Sequence, residues 1–133
     1  HMYPQCTASI MCAAVADFTP HSCAEEMIKR EGVELILRLT PTQDIAATIG
    51  RMKTPAQRLC GFALETHNAL EHAQEKLQRK NLDMIVMNSL QDSGAGFQVD
   101  TNKVTIITNN HKESLPLQSK REVAREILNR FLP

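Results

Sequence analysis

Residues 61 to 83 read Gly61-Phe62-Ala63-Leu64-Glu65-Thr66, then a polar stretch carrying Lys76 and Lys80, then Asn81-Leu82-Asp83. An apolar run ending in Phe and Glu, a polar cap, about four helical turns bearing cations and a second apolar run predict a strand, helix and strand crossover. In open α/β sheets such units bind ligands just beyond the carboxyl ends of the strands. Glu65 and Phe62 are expected at that edge.

Alternating elements extend outward from this unit. Arg58 to Leu64 is the first strand of the crossover, and Thr66 is its helix cap. Ala69, Leu70, Ala73 and Leu77 share one apolar helical face, and Leu82 to Met87 forms the next buried strand. Upstream, Ser9 to Val15 reads as a buried strand, Asp17-Phe18-Thr19-Pro20 as a turn, and Val33 to Leu39, alternating against Glu34 and Arg38, as a second strand or hairpin arm. Thr40-Pro41-Thr42-Gln43 has the form of a helix start, with Thr40 as N-cap and Pro41 at the first helical position, and that helix is expected to end near Gly50. Downstream, Gln91 to Gly96 reads as a polar loop and Gln98 to Thr108 as a strand or a hairpin turning at Asp100 to Lys103. Ser119 to Leu132 closes the chain as an amphipathic helix with a capping box from Ser119 to Glu122.

The chain has 133 residues, 42% hydrophobic and 23% charged, the composition of one soluble domain. Fifteen basic and fifteen acidic residues cancel. No general positive field invites nucleic acid or an anionic membrane, so any anion site must be local. No apolar stretch has the length of a membrane span and no signal peptide pattern opens the chain, from which a cytoplasmic protein is expected. Cys6, Cys12, Cys23 and Cys60 are widely spaced and read as reduced, mostly buried thiols. His1-Met2 looks like a cloning scar, which leaves residues 3 to 133 as the domain.

The series Met11-Cys12-Ala13-Ala14-Val15-Ala16-Asp17, Ile28-Lys29-Arg30, Asp44-Ile45, Gly61 to Thr66, Lys76, Lys80-Asn81-Leu82-Asp83, Leu115-Pro116-Leu117 and Ser119-Lys120-Arg121-Glu122 resembles, in order and spacing, the phosphopantothenate–cysteine ligase domain of the bifunctional coenzyme A biosynthesis protein. The resemblance implies an α/β, Rossmann-like three-layer fold with helices on both faces, of which this chain is the carboxyl-terminal portion without the amino-terminal strands. It also implies a CTP-dependent ligase that activates 4'-phosphopantothenate as an acyl-cytidylate and lets cysteine displace CMP. Mg2+ would accompany the CTP. The parent protein would be a homodimer fused to an FMN-dependent decarboxylase, with FMN confined to that absent domain. The fragment alone is not expected to complete the reaction. The alternative is a non-catalytic nucleotide-binding or dimerisation module.

By the same resemblance, the nucleotide-binding residues are Met11, Cys12, Ala13, Asp17, Met27, Gln43, Asp44, Ile45, Ala46, Phe62, Lys76 and Lys80. Each also has an ordinary reading. Lys76 and Lys80, spaced i,i+4, can reach one anion, or they can be a solvated face paired with acidic neighbours. Asp17 after a strand end can face a ligand or cap a turn. Free amides at Gln43 to Ala46 suit a base edge or a phosphate, or belong to a well-capped helix. Phe62 can stack on the nucleotide or pack in the core.

The family's Lys-x-Lys-Lys segment becomes Met27-Ile28-Lys29-Arg30 here. Its first lysine, implicated in the second half-reaction, falls on Met27, so either Lys29, the catalytic candidate, or Arg30 serves instead, or the step is impaired. The strand matching Ile10 to Val15 has a neighbour in the family that this chain lacks, and a sticky apolar edge is expected there. Val33 to Leu39 is the candidate inter-subunit contact. His67 and His72 are poorly spaced for a shared metal, and Gly94-Ala95-Gly96 lacks a dinucleotide fingerprint.

Overall fold

The computed structural model describes residues 2–29, 32, 34–65, 68–89 and 99–132, with Ser89 described by its backbone alone. A short 3-10 turn (Tyr3–Gln5) leads into β1 (Ala8–Met11), followed by β2 (Phe18–Pro20), β3 (Leu39–Pro41) and α1 (Ile45–Met52). Then come β4 (Arg58–Glu65), α2 (Ala69–Arg79), β5 (Met84–Ser89), β6 (Thr101–Asn102) and β7 (Val104–Ile107). The described chain ends with β8 (Lys112–Ser114), β9 (Gln118–Ser119) and α3 (Lys120–Phe131).

The main sheet has five strands in the order β1-β4-β5-β7-β8. β1, β4 and β5 run parallel, with Met11 beside Gly61 and Gly61 beside Ile85. β7 and β8 join antiparallel. Alternate residues of β4 and β5 point to opposite faces, so the sheet carries two cores. Cys60, Met84 and Val86 pack with Val123, Ile127 and Phe131 of α3 on one face. Leu59, Ala63, Ile85 and Met87 pack with Ala73 and Leu77 of α2, with Ile49 of α1 alongside, on the other. Each such buried aliphatic side chain contributes roughly 1.5 to 3 kcal/mol. The result is a Rossmann-like α/β fold with helices on both faces, the α/β class expected from the crossover and the Rossmann-like arrangement from the resemblance.

Asp83 fastens the crossover. Its carboxylate accepts from Lys53 Nζ at 2.8 and 2.9 Å and from the Leu59 amide at 2.7 Å, while its own amide donates to the Leu59 carbonyl at 2.9 Å. At the far end, the expected capping box holds α3: Ser119 Oγ accepts from the Glu122 amide at 3.2 Å and Glu122 accepts from the Ser119 amide at 3.0 Å.

Several local expectations are corrected. The strand expected over Ser9 to Val15 stops at Met11, and Ala13 to Ala16 run on exposed. The expected alternation at Val33 to Leu39 builds only the end of a strand, because Leu35, Ile36 and Leu37 are all more than 60% exposed and have no core face to bury. Leu39–Pro41 instead pairs with Phe18–Pro20 in a separate two-stranded piece, so the expected turn at Phe18 to Pro20 is also strand. That pairing claims Thr40 and Pro41, and the helix starts later. Its N-cap is Asp44, whose Oδ1 accepts from the Ala47 amide at 2.9 Å, and it runs two residues past Gly50. The expected hairpin at Asp100 to Lys103 is not formed: β6 pairs with β9 while β7 enters the main sheet. The Asn102 side chain accepts from the Lys103 amide at 3.0 Å at that switch. Thr66 lies outside the described residues, and α2 takes Asn68, at φ 47°, as its N-cap. The Gln91 to Gly96 loop, Arg30, Val33 and His67 are also outside them. Only Cys60 of the four free cysteines is buried; Cys12 and Cys23 are exposed. Among the described residues, no helix is long and apolar enough to cross a membrane.

Candidate functional site

A crevice of about 510 Å3 opens at the carboxyl ends of β1 and β4, on the face that carries α1 and α2. Its floor is Met11, Gly61, Ala63, Leu82 and Ile85. One wall is the exposed strap Ala13 to Asp17 together with Thr42 to Ala46. Thr42 ties these two segments, its amide donating to Asp17 O at 2.9 Å and its hydroxyl to Ala16 O at 2.6 Å. The opposite wall is α2, which contributes Lys76 and Lys80, and Phe62 and Leu64 lie at the rim.

Two ion pairs set the charge of the crevice. Glu65, at the end of β4, pairs with Lys76 and lies 3.4 Å from His72 Nδ1. Lys80 Nζ lies 3.1 Å from Asp44 Oδ2, joining the end of α2 to the start of α1. Burial pushes the Asp44 carboxyl up, but the Ala47 amide, the Lys80 ammonium and Arg79 outweigh it and hold the group below its ordinary range. The cations therefore face the crevice already countered by carboxylates, which an incoming phosphate must share or displace. On the other face of the sheet, burial, with Cys12 and Asp83 nearby, pushes the Cys60 thiol up to about 12, so this cysteine is an inert core residue.

Of the residues singled out from the sequence, Met11, Ala13, Asp17, Gln43, Asp44, Ile45, Ala46, Phe62, Lys76 and Lys80 line this one crevice. Cys12 does not line it, although both its neighbours do. Met27, 88% exposed, and Lys29 lie away from the crevice, in the long segment between β2 and β3. Neither lines the crevice with Lys76 and Lys80, because residues 21–29 are exposed and belong to neither strand nor helix. Thr42 and Ala14 to Ala16 were missed although they flank or run between named residues, and so were Gly61, Ala63 and Leu64 of β4 together with Leu82 and Ile85. Among the described residues no group of three or more His, Cys, Asp or Glu side chains gathers to hold a metal.

Comparison with known proteins places this geometry in a family. Residues 1–133 match the family described as DNA/pantothenate metabolism flavoprotein C-terminal domain. The chain is similar to a cysteine/cysteine sulfinic acid decarboxylase from an unknown prokaryotic organism, 49% identical over 131 residues, covering 98% of this chain and 36% of that protein. It is also similar to the coenzyme A biosynthesis bifunctional protein CoaBC of Bacillus subtilis (strain 168), 45% identical over 120 residues, covering 90% of this chain and 29% of the relative. The chain thus spans about a third of the length of these relatives, which are enzymes, one of them multifunctional and named for coenzyme A biosynthesis. A crystal structure of the C-terminal domain of a CoaBC protein superposes with a TM-score of 0.76 at 38% identity, covering 97% of this chain and 55% of that one.

These findings correct the assignment drawn from the resemblance. Where the sequence pointed to a phosphopantothenate–cysteine ligase domain, the matched family is described as a flavoprotein domain and the 49% identical relative is named a decarboxylase. The ligase assignment is withdrawn in favour of the broader statement that these matches carry. The chain belongs to the DNA/pantothenate metabolism flavoprotein C-terminal domain family.

Proposed function

We propose that the crevice binds a nucleotide through its phosphates, that this nucleotide is CTP with Mg2+ carried on the phosphates, and that the chain serves as the nucleotide-binding part of a coenzyme A biosynthesis enzyme. The observation that carries this reading is the convergence of Lys76, Lys80, Asp17 and the start of α1 on one crevice at the sheet's carboxyl edge. Its volume of about 510 Å3 lies within the roughly 300 to 1,000 Å3 usual for small-molecule sites. Phosphates would lie toward α2, sharing or displacing the carboxylates that pair with Lys76 and Lys80. The base would lie against the strap and Phe62, a residue 38% exposed at the rim. A pyrimidine suits a wall built largely of alanines. The whole protein's partners, which we take to be 4'-phosphopantothenate, cysteine and a second copy of the chain, extend the same proposal.

The family description favours a second occupant, FMN, which also offers a phosphate and a flat ring. Titration calorimetry with CTP and Mg2+, and separately with FMN, distinguishes them. Saturable CTP binding that weakens as salt rises, with no FMN uptake, is the expected result. FMN binding that Lys80→Met abolishes, with CTP inert, would replace the CTP reading with a flavin one. Neither ligand binding would remove the nucleotide reading.

A further inference from the structure

The turn that ends α2 is clamped from two sides. Asn81 takes a left-handed conformation, φ 53°, and its side chain crosses to α1, where Nδ2 donates to Gly50 O at 2.7 Å. Gly50 has no room for a side chain: a Cβ there would stand 1.8 Å from the Lys80 carbonyl oxygen, a backbone atom. On the other side a Cβ on Gly61 would stand 2.8 Å from Leu82 Cδ1. The three residues Lys80, Asn81 and Leu82 are thus seated between an α1 glycine and a β4 glycine. Asn81 bonds to the body of α1, and Lys80 reaches the Asp44 cap.

Lys80 depends on that seat. Its ammonium reaches Asp44 Oδ2 at 3.1 Å, and Asp44 Oδ1 in turn accepts from the Ala47 amide at 2.9 Å. The Asp44 carboxylate therefore bridges a cation and the opening turn of a helix at one point in the crevice, and an incoming phosphoryl group would share or displace that carboxylate. Their separation is set by how closely α2 approaches α1, which the Asn81 to Gly50 bond fixes. A long lysine side chain holds one geometry only when its backbone is held.

We propose that Asn81 is a positioning residue: it locks the end of α2 onto Gly50 and so holds the Lys80 ammonium over the start of α1, where a phosphoryl group binds. The identity of that ligand rests on the nucleotide reading above; the lock itself does not. Substituting Asn81→Gly keeps the left-handed backbone unstrained and removes only the side-chain bond.

Two measurements on the purified chain test this. The first needs no ligand: the Asp44 carboxyl is titrated by carbon-detected NMR in the unaltered chain and in Asn81→Gly. Release of Lys80 is expected to move the Asp44 titration upward, toward the ordinary carboxylate range. An unchanged titration overturns the proposal, whatever any ligand does. The second measures CTP affinity: Asn81→Gly is expected to weaken it roughly tenfold, the size of one charge-assisted hydrogen bond, and to cause no further loss in a Lys80→Met background. Equal losses in both backgrounds would show that Asn81 does not act through Lys80. Should the unaltered chain fail to bind CTP, the nucleotide reading falls and the Asp44 titration decides the lock alone.

Discussion

Replacing Asp83 tests whether the clasp between β4, β5 and the segment after α1 holds the crossover together. The Lys53 side chain is only 8% exposed and its ammonium is met by both Asp83 oxygens, while the Asp83 side chain itself is 39% exposed. Asp83→Ala leaves a buried cation and the Leu59 amide without their partner. An orphaned buried charge costs roughly 3 to 5 kcal/mol, and the access of water to the Asp83 side lowers the expected cost to about 3 kcal/mol. Lys53→Met removes the buried charge rather than orphaning it and fills the same space, so its cost should be about 1 kcal/mol. The ordering is therefore asymmetric: the carboxylate matters more than its cation. Urea unfolding at neutral pH checks this, with the midpoint falling at constant slope in both variants and further in Asp83→Ala. If Lys53→Met is as costly as Asp83→Ala, or if both stay within about 0.5 kcal/mol of the unaltered chain, the clasp does not hold the crossover as described.

Asp44→Ala should cost about 1 kcal/mol through loss of the α1 cap. Because the folded chain holds the Asp44 carboxyl below its ordinary range, that contribution is present above an unfolded pKa of about 4 and is lost as pH falls through the lower folded value; unfolding curves of the two proteins should converge in acid and stay apart at neutral pH. Cys12 and Cys23 should react rapidly with a thiol reagent under native conditions, Cys60 only after unfolding; fast native reaction of Cys60 would contradict its placement under α3. The segment carrying Leu35, Ile36 and Leu37 exposes enough apolar surface to bury against a second copy, so sedimentation velocity should show concentration-dependent self-association that Ile36→Asp weakens; an unaltered chain that stays monomeric at all concentrations would remove the dimer.

The crossover was legible because its pattern has one solution. An apolar run, a helix whose Ala73 and Leu77 share a face and a second apolar run can be buried together only by wrapping the helix over two parallel strands. The capping box at Ser119 was equally plain, since its partners lie three residues apart. Between Cys12 and Thr42 the same rules misled, because periodicity describes a face and cannot say whether anything covers it. Leu35, Leu37 and Leu39 alternate as in a strand, yet among the described residues nothing packs over them. The α1 start was misplaced because Thr40-Pro41 and Asp44 both make good helix openings, and the choice fell to the pairing of Thr40 with Thr19, a contact 21 residues away. The lysines of α2 could be placed together from their spacing. Their carboxylate partners could not, because Glu65 and Asp44 come from other elements. The seat for Asn81 was invisible for a similar reason: a glycine's value at Gly50 depends on what another helix places 1.8 Å away.

Titrating CTP and Mg2+ into Lys76→Met, Lys80→Met and the double variant at fixed, moderate salt asks whether the crevice is an anion site. If the two ammonium groups hold the phosphates, each substitution should lower affinity roughly tenfold, and the double variant should lose more than either and most of the salt dependence. A double variant that binds CTP within about twofold of the unaltered chain would contradict the assignment of this crevice.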